Sequence, residues 1–322
     1  MTKTSLCQMG YVFQPNQSIA VNLNRILSEQ LEKALESLEN PGQEKEETIH
    51  DVRKRIKKIR SLFRLVRSDL KKKDFKRQNK QYRTIAHLIS PVRDATVMCK
   101  TLEKLQQTYP DRISSSQYAA LKKALVNRQH QVSSQFFEVT ATLQTVADGL
   151  RQAHLKAPEL CQRCTGFSVL RPNLKTMYRQ ARKALQVAAR RPSSDHYHEL
   201  RKEVKTIGYH TRLLEPIWPE LLEAYSSELK QLGELLGDDH DCGVLAEEIE
   251  TGRIALRAKK ARETVLQLLD EQRTTLQQQI HPLANRLFAE KAGELVGRYC
   301  QYWKLWQTET RYDPALEHLQ TV

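Results

Sequence analysis

Residues 49 to 67, IHDVRKRIKKIRSLFRLVR, carry eight Lys or Arg side chains and one histidine against a single carboxylate, Asp51. Guanidinium and ammonium groups are the side chains that grip phosphate oxygens, arginine through a planar fork and lysine as a mobile point charge. Like charges stacked at helical spacing repel one another unless a polyanion or several carboxylates relieve them. The stretch therefore predicts the wall of an anion-binding groove, and the plainer alternative is a basic surface helix.

The element that positions these cations is a helix with one buried stripe. Apolar residues recur at alternating intervals of three and four: Ile49, Val52, Ile56, Ile59, Phe63 and Val66. The cationic row lies one residue later in each case, at His50, Arg53, Lys57, Arg60, Arg64 and Arg67, and Lys54 widens it. The charges therefore run beside the core-facing stripe, whereas an ordinary solvated face lies opposite it and mixes both signs.

The whole chain is basic, with 52 Lys or Arg against 38 Asp or Glu and a formal net charge of +14 in 322 residues. The excess is uneven, because residues 1 to 160 hold 28 basic and 16 acidic side chains, a net of +12. This imbalance favours a partner rich in negative charge, such as nucleic acid, an anionic membrane or polyphosphate.

Three-to-four periodicity and the small numbers of glycine and proline, eleven each, predict an all-α fold. The helices are expected at residues 18–39, 46–70, 74–107 with a break near Pro91, 114–155, 173–190, 195–213, 218–236, 240–250 and 257–307. Residues 158–172 have no clear period and are interpreted as a link between a first helical bundle, 1–157, and a second, 173–310, followed by a tail, 311–322.

The two halves also resemble each other in sequence. HDVRKRIKKIRSLFR from residue 50 aligns with HELRKEVKTIGYHTR from 198, and YRTIAHLISPVRDATVMCKTLEKL from 82 aligns with LKQLGELLGDDHDCGVLAEEIE from 229. Duplicated helical units of this length usually pack about a pseudo-twofold axis. We therefore expect two pseudo-twofold-related four-helix bundles, with a central basic pore or cleft between the two cationic rows.

These four segments, in this order, resemble the CHAD domain, the conserved histidine α-helical domain. The resemblance covers residues 49 to 245 and implies a basic pore or cleft that binds long-chain inorganic polyphosphate, with association with polyphosphate granules. Carried over by position, it implies ligand contacts at His50, Arg53, Lys54, Lys57, Arg60, Arg64, His198, Arg201, Lys202, Lys205 and Arg212. The sequence departs from the pattern at Gly208, which stands where the first copy has Arg60.

The residues themselves suggest further contacts. Lys175, Arg179, Arg182 and Lys183 share a face of the helix that opens the second half, whereas its counterpart offers Arg25 together with Glu29 and Glu32. A comparable row follows the first cationic helix at Lys76, Arg77, Lys80 and Arg83, and the repeat also nominates Arg93, Lys230 and His240. His50 and His198 either bind the polyanion as imidazolium groups or fix the bundle through hydrogen bonds.

Two other ligand classes remain open as alternatives. Contact with the backbone of nucleic acid is one, although single-strand readers place aromatics among their basic residues, and Phe63 and Tyr197 belong to the buried rows. Docking of acidic protein tails is the other, and it would present charge less densely than phosphate does.

A catalytic alternative is an HD-type metal phosphohydrolase built on His50-Asp51 or His240-Asp241, the latter with His210 and Asp270. The repeat counterpart of His240 is Arg93, which cannot bind metal, so we predict no enzyme activity, no metal and no cofactor. Cys161 and Cys164 form a lone CxxC without a second pair, which favours reduced thiols. The absence of an apolar run of about 20 residues and of a signal-peptide core predicts no membrane span and a cytoplasmic location.

Overall fold

The architecture is that of a computed structural model, which describes residues 10–40, 45–138, 140–157, 160, 166–254 and 258–309. Within these residues the regular structure is helical throughout, so the predicted all-α fold is confirmed. The helices are α1 (Ile19–Glu39), α2 (Lys45–Leu65), α3 (Lys72–Leu88), α4 (Ser90–Thr108), α5 (Ser115–Glu138), α6 (Thr140–Leu155), α7 (Arg171–Arg190), α8 (Ser194–Leu214), α9 (Pro219–Glu250), α10 (Lys259–Leu287) and α11 (Ala292–Glu309). Short 3-10 turns occupy Phe167–Val169 and Glu215–Ile217.

Local sequence explains where several helices begin. The side chain of Ser18 accepts a hydrogen bond from the amide of Val21 at the start of α1, and Ser193 does the same for His196 at the start of α8. The expected break near Pro91 falls between α3 and α4, and Pro91 lies in the first turn of α4, where a missing amide costs nothing.

Several expected helix boundaries are wrong, and the helix expected at 114–155 corresponds to α5 and α6. The predicted interruption between 236 and 240 does not occur, because α9 runs unbroken to Glu250. Its apolar period continues on both sides, and Asp239 is fully buried against α10, where it accepts hydrogen bonds from Arg273 (3.3 Å) and Gln277 (2.8 Å). Tertiary packing here outweighs the helix-breaking tendency of Gly237 and the following aspartates.

The single helix expected at 257–307 is instead two helices, α10 and α11, with a corner at residues 288–291. The carbonyl of Leu287 accepts hydrogen bonds from the hydroxyls of both Tyr178 (3.1 Å) and Tyr225 (2.9 Å). An α-helix would need this carbonyl for the amide of residue 291, so the two tyrosines favour an end to α10. The first cationic helix is also shorter than expected and ends at Leu65.

Two apolar clusters each contain residues from both halves of the chain. The larger includes Ile56 of α2 and Val204 of α8, while the smaller joins Met98 of α4 to Leu245 of α9. As a result α2 packs on α8 and α4 packs on α9. Residues 158–159 and 161–165 of the predicted link, and the predicted tail at 311–322, lie outside the described residues, and Phe167 and Leu170 of the link are buried.

The contact between α2 and α8 contains a buried histidine. The Nε2 atom of His210 lies 2.8 Å from the hydroxyl and 2.9 Å from the carbonyl of Ser61. Burial lowers the pKa of His210 to about 3, against a smaller upward effect of the Ser61 carbonyl. The neutral imidazole is therefore the form that the folded protein holds.

Replacement of His210 by glutamine should reduce the acid sensitivity of the fold. Because the pKa of His210 is lower in the folded than in the unfolded chain, the wild type should lose about 2 kcal/mol of unfolding free energy between pH 7 and pH 5 through this group. Urea unfolding of His210→Gln at both pH values should show a smaller loss. The exposed His154→Gln is the control and should behave as wild type, and an equal pH dependence in all three proteins would contradict this account.

Candidate anion-binding groove

The cationic rows of α2 and α8 lie beside buried stripes, as their spacing predicts. The stripe residues are buried: Ile49, Val52, Ile56, Ile59 and Phe63 on α2, and Tyr197, Leu200, Val204 and Ile207 on α8. On the adjoining faces Arg53, Arg201 and Lys205 are half-buried and Lys57 is exposed. Burial of the stripe fixes the rotation of each helix and hence the direction of its cations.

Cations from both halves meet around Lys57. We call the central cluster Arg53 and Lys57 of α2, Arg93 of α4, Arg201 and Lys205 of α8, and His240 of α9. The Lys57 side chain is solvent-exposed, yet surrounding protein and repulsion by Arg53, Arg201, Lys205 and Arg93 lower its pKa to about 8. These four neighbours come from three helices, so the convergence is a tertiary property.

Few carboxylates lie within the central cluster. Among the described residues Lys57, Arg201 and Lys205 have no carboxylate oxygen within 4.0 Å, and Arg53 has Asp94 at 3.9 Å. Burial raises the pKa of Asp94 and of Asp241, while the nearby arginines oppose that shift. Positive charge therefore exceeds its local compensation, which is the arrangement expected of a site for an anion.

Glycines on α9 let two of these cations approach closely. A Cβ atom added at Gly237 would lie 3.2 Å from Nη2 of Arg201, and one at Gly233 would lie 3.0 Å from Nζ of Lys205. The side chains of α8 therefore lie directly against the backbone of α9. Any larger residue at Gly233 or Gly237 would push a cation away from the cluster.

The first half makes the related contact with a hydrogen bond. Arg53 donates through Nη1 to the hydroxyl of Ser90, the position that aligns with Gly237, and at 3.4 Å to the carbonyl of Ala86, which aligns with Gly233. Arg53 is thus held where α3 meets α4, and Arg201 is held against the aligned segment of α9. A small residue at each of the four positions permits this approach.

His240 belongs to the central cluster, and two further histidines, His50 and His198, flank it. The rings of His198 and His240 are 4.4 Å apart between centroids, and Nδ1 of His198 is buried without a hydrogen-bond partner among the described residues. Burial, His198 and Arg201 lower the pKa of His240 to about 4. The pKa of His50 is lowered by burial and by Arg93, and that of His198 by burial and Lys202. Because the pKa of each ring is lower than its ordinary value, the three histidines add little positive charge to the free groove at neutral pH.

Several other nominated cations are already paired. Arg64 reaches across to α8, where it bonds Glu203 (2.7 Å) and Thr206 (2.7 Å). Lys202 pairs with Glu199 and Arg212 with Glu215, while Arg77 lies 3.0 Å from Asp74 and Lys230 lies 3.9 Å from Glu234. These pairs use their charge within the protein, and within the central cluster only Arg53 has such a partner among the described residues, Asp94 at 3.9 Å.

The remaining nominated residues fall into two groups. Arg60 donates to Asn79 (3.0 Å) and lies near Arg64 and Arg83, which extends positive charge from the central cluster toward α3, and Lys54 and Lys80 are exposed on these helices. The nominated residues of α7 lie away from the central cluster. Lys175 lies beside Gly293, and Arg182 lies near enough to Tyr178 to lower the pKa of its hydroxyl, as Glu290 is near enough to raise it. Gly293 and Glu290 are at the corner between α10 and α11. Arg179 and Lys183 are exposed on α7.

One basic residue of the site has no counterpart in the sequence-based prediction. Arg273 of α10 bonds Asp239 and helps to lower the pKa of His240. The sequence offered no signal for it, because α10 has no clear basic row and Asp239 was expected in a turn. Of the proposed HD ligands, His210 lies in the α2–α8 core, and no cluster of three His, Cys, Asp or Glu side chains suited to a metal occurs in the described part of the chain. Cys161 and Cys164 lie outside that part.

Removal of the Lys57 charge should stabilise the ligand-free protein. A lysine pKa that is lower in the folded chain than in the unfolded chain destabilises the fold below about pH 8, and this penalty disappears as the pH rises toward 10.5. Allowing for the exposure of the side chain, Lys57→Met should gain about 1 kcal/mol, or roughly 2 °C in Tm, at pH 7.

Thermal unfolding of Lys57→Met at pH 7 and near pH 10 checks this expectation, with Lys123→Met on the exposed face of α5 as the matched control. The gain should shrink at the higher pH and should be absent from the control. A lower Tm for Lys57→Met at pH 7 would show that the cluster is compensated internally.

Comparison with known proteins bears on the family and the fold. The family model described as the CHAD domain matches residues 25–250. Among solved structures, PptA from Streptomyces chartreusis is similar, with a TM-score of 0.62 and 14% sequence identity over 85% of this chain and 100% of that chain. At this identity the likeness concerns the fold. No curated protein sequence matches the chain.

Proposed function

The chain belongs to the CHAD-domain family, and we propose that it binds long-chain inorganic polyphosphate along a groove centred on Lys57, between its two halves. The observation that supports this most is the convergence of cations from α2, α4 and α8, which outnumber the carboxylates near them. Family membership fits polyphosphate binding in general. We also propose that the groove is the binding track, that its cations make the individual contacts, and that the protein associates with polyphosphate granules in the cytoplasm.

The chemistry of the ligand suits this surface. Polyphosphate carries about one negative charge per unit and presents only oxygen acceptors, so it needs donors spaced along a track. A helix of the length of α2, 21 residues, spans roughly 30 Å at 1.5 Å per residue, enough for several phosphates. Release of condensed counterions would provide much of the affinity, which should therefore fall steeply with salt.

The structure gives no specific support to the alternative ligands. Phe63 and Tyr197, the aromatics closest in sequence to the cationic rows, are fully buried and cannot stack on bases. We accordingly propose binding without catalysis. None of the helices in the described ranges is long and apolar enough to cross a membrane.

Charge reversal at the matched arginines tests the groove. Arg53→Glu and Arg201→Glu should each weaken binding of long-chain polyphosphate by about tenfold or more at moderate salt, because each replaces a donor with a repelling carboxylate. Isothermal titration calorimetry measures the change, and circular dichroism checks that the helices persist. Lys123→Glu, with the same charge change on α5, should bind as wild type.

Two further measurements bear on the ligand. Affinity should rise with polyphosphate length until the track is filled, and single-stranded RNA should displace it poorly at equal phosphate concentration. Equal losses in all three variants would show that only overall charge matters, and efficient displacement by RNA would contradict the proposed specificity.

Binding should also take up protons near pH 8. A polyanion beside Lys57 favours its charged form and raises its pKa from about 8, so the complex should bind about half a proton more than the free protein at that pH. Calorimetry in two buffers with different ionisation enthalpies measures this uptake. Lys57→Arg keeps the charge at every pH and should retain binding while losing the uptake, and an unchanged uptake in Lys57→Arg would assign the proton elsewhere.

A further inference from the structure

A second basic surface lies on α7. The helix has six basic residues and no acidic residue: Arg171, Lys175, Arg179, Arg182, Lys183 and Arg190. At 100° per residue these six fall within roughly 120° of the helix circumference, opposite its buried side. Four of them, Arg171, Arg179, Lys183 and Arg190, are exposed.

The cations of α7 have no compensation within the described part of the protein. None of the six forms an ion pair there, although exposed basic residues elsewhere commonly do, as Lys202 with Glu199 and Arg253 with Glu247 and Glu248. Like charges spaced by four, such as Lys175, Arg179 and Lys183, destabilise an isolated helix. The fold itself therefore gains nothing from this row.

Helix α1, which precedes the first cationic helix as α7 precedes the second, shows that the packing does not require such a row. It has two basic residues, Arg25 and Lys33, against four glutamates, and Arg25 pairs with Glu29 at 2.8 Å. Both helices bury an apolar stripe against the helix that follows them. The positive face of α7 is thus not required by the packing that α1 and α7 have in common.

The α7 surface is separate from the groove. The cations that repel Lys57, Lys205 and His240 come from α2, α4, α8, α9 and α10, and none comes from α7. Lys175 instead lies beside Gly293, and Arg182 and Glu290 both lie close enough to Tyr178 to affect the pKa of its hydroxyl. An anion bound along α7 would therefore meet a set of cations other than those of the central cluster.

The composition of this face indicates the kind of anion. Its uncharged exposed residues are small or polar, such as Thr176, Gln186 and Ala189, with no aromatic to stack on a base and no large apolar side chain to enter a lipid layer. A row about 28 Å long with charge alone matches a flexible polyanion. We propose that α7 binds a second segment of inorganic polyphosphate, so that one protein molecule bridges two polyphosphate segments.

This inference rests on the proposed function of the groove, and it adds bivalency to it. Two sites on one molecule raise the effective concentration of the second contact and cross-link long chains. A weak site on α7 would suffice, because long chains present many equivalent segments. Cross-linking would gather polyphosphate into condensed particles.

The test uses Arg171→Glu, Arg179→Glu and Lys183→Glu combined, since all three side chains are exposed and the folded structure should persist. Calorimetry with a short polyphosphate that spans one helix, roughly 30 Å, should show a tight and a weak site in the wild type. The triple variant should keep the tight site within about twofold and lose the weak one. The groove variant Arg201→Glu should show the opposite.

Light scattering with long-chain polyphosphate measures bridging. The triple variant should scatter at least about fivefold less than wild type, whereas a control triple, Lys123→Glu, Lys259→Glu and Lys260→Glu, should scatter as wild type. Loss of the tight site in the α7 variant would place α7 within the groove, and unchanged stoichiometry and scattering would leave it without a role. Displacement from the weak site by single-stranded RNA at equal phosphate concentration would overturn the assignment to polyphosphate.

Discussion

The feature on which the site depends is the repulsion between cations that the packing of α2 on α8 forces together. Lys57 lies among Arg53, Arg93, Arg201 and Lys205, and surrounding protein together with their repulsion lowers its pKa to about 8. Such crowding is sustained only because apolar burial elsewhere is large. The two apolar clusters, each with residues from both halves, provide that burial. The groove is thus a cost to folding that the cores offset and that a bound polyanion would relieve.

The division between paired and unpaired cations follows from their positions. Arg64 stands where α2 crosses α8, and there it bonds Glu203 and Thr206 and joins the halves. Farther along the two rows, Arg201 lies against Gly237 and Arg53 bonds Ser90, and among the described residues no carboxylate oxygen lies within 4.0 Å of Lys57 or Arg201. The two rows, uniform in sequence, therefore contain two kinds of cation. Some, such as Arg64, are paired within the protein, and others, such as Arg201, have no ion-pair partner among the described residues.

The sequence was sufficient for the fold class, the buried stripes and the faces of the cationic rows, because period and burial are local properties of a helix. The convergence of the two rows was expected from the resemblance between the halves, and the described contacts around Lys57 agree with it. The end of α10 could not be predicted, since it depends on the hydroxyls of Tyr178 and Tyr225 reaching Leu287 from other helices. Arg273 was missed for the same reason, because its partner Asp239 is buried only once α9 is continuous. The pairing of Arg64 and the separate location of the α7 row also depend on which helix lies opposite.

Small differences between aligned positions give the two halves unlike contacts beside their cationic rows. In the first half Glu46 accepts hydrogen bonds from Thr96 (2.9 Å) and Gln129 (3.0 Å), so a carboxylate closes the contact between α2, α4 and α5. At the aligned positions of the second half, Ser194 and Gly243 are in close contact and Arg273 lies alongside. The first half therefore has a carboxylate held by neutral donors, while the second has a guanidinium that is paired with Asp239 and lies near the ring of His240. Helices that align in sequence and pack alike thus differ in the charges at their ends, because each charge depends on the partner that its own helix meets.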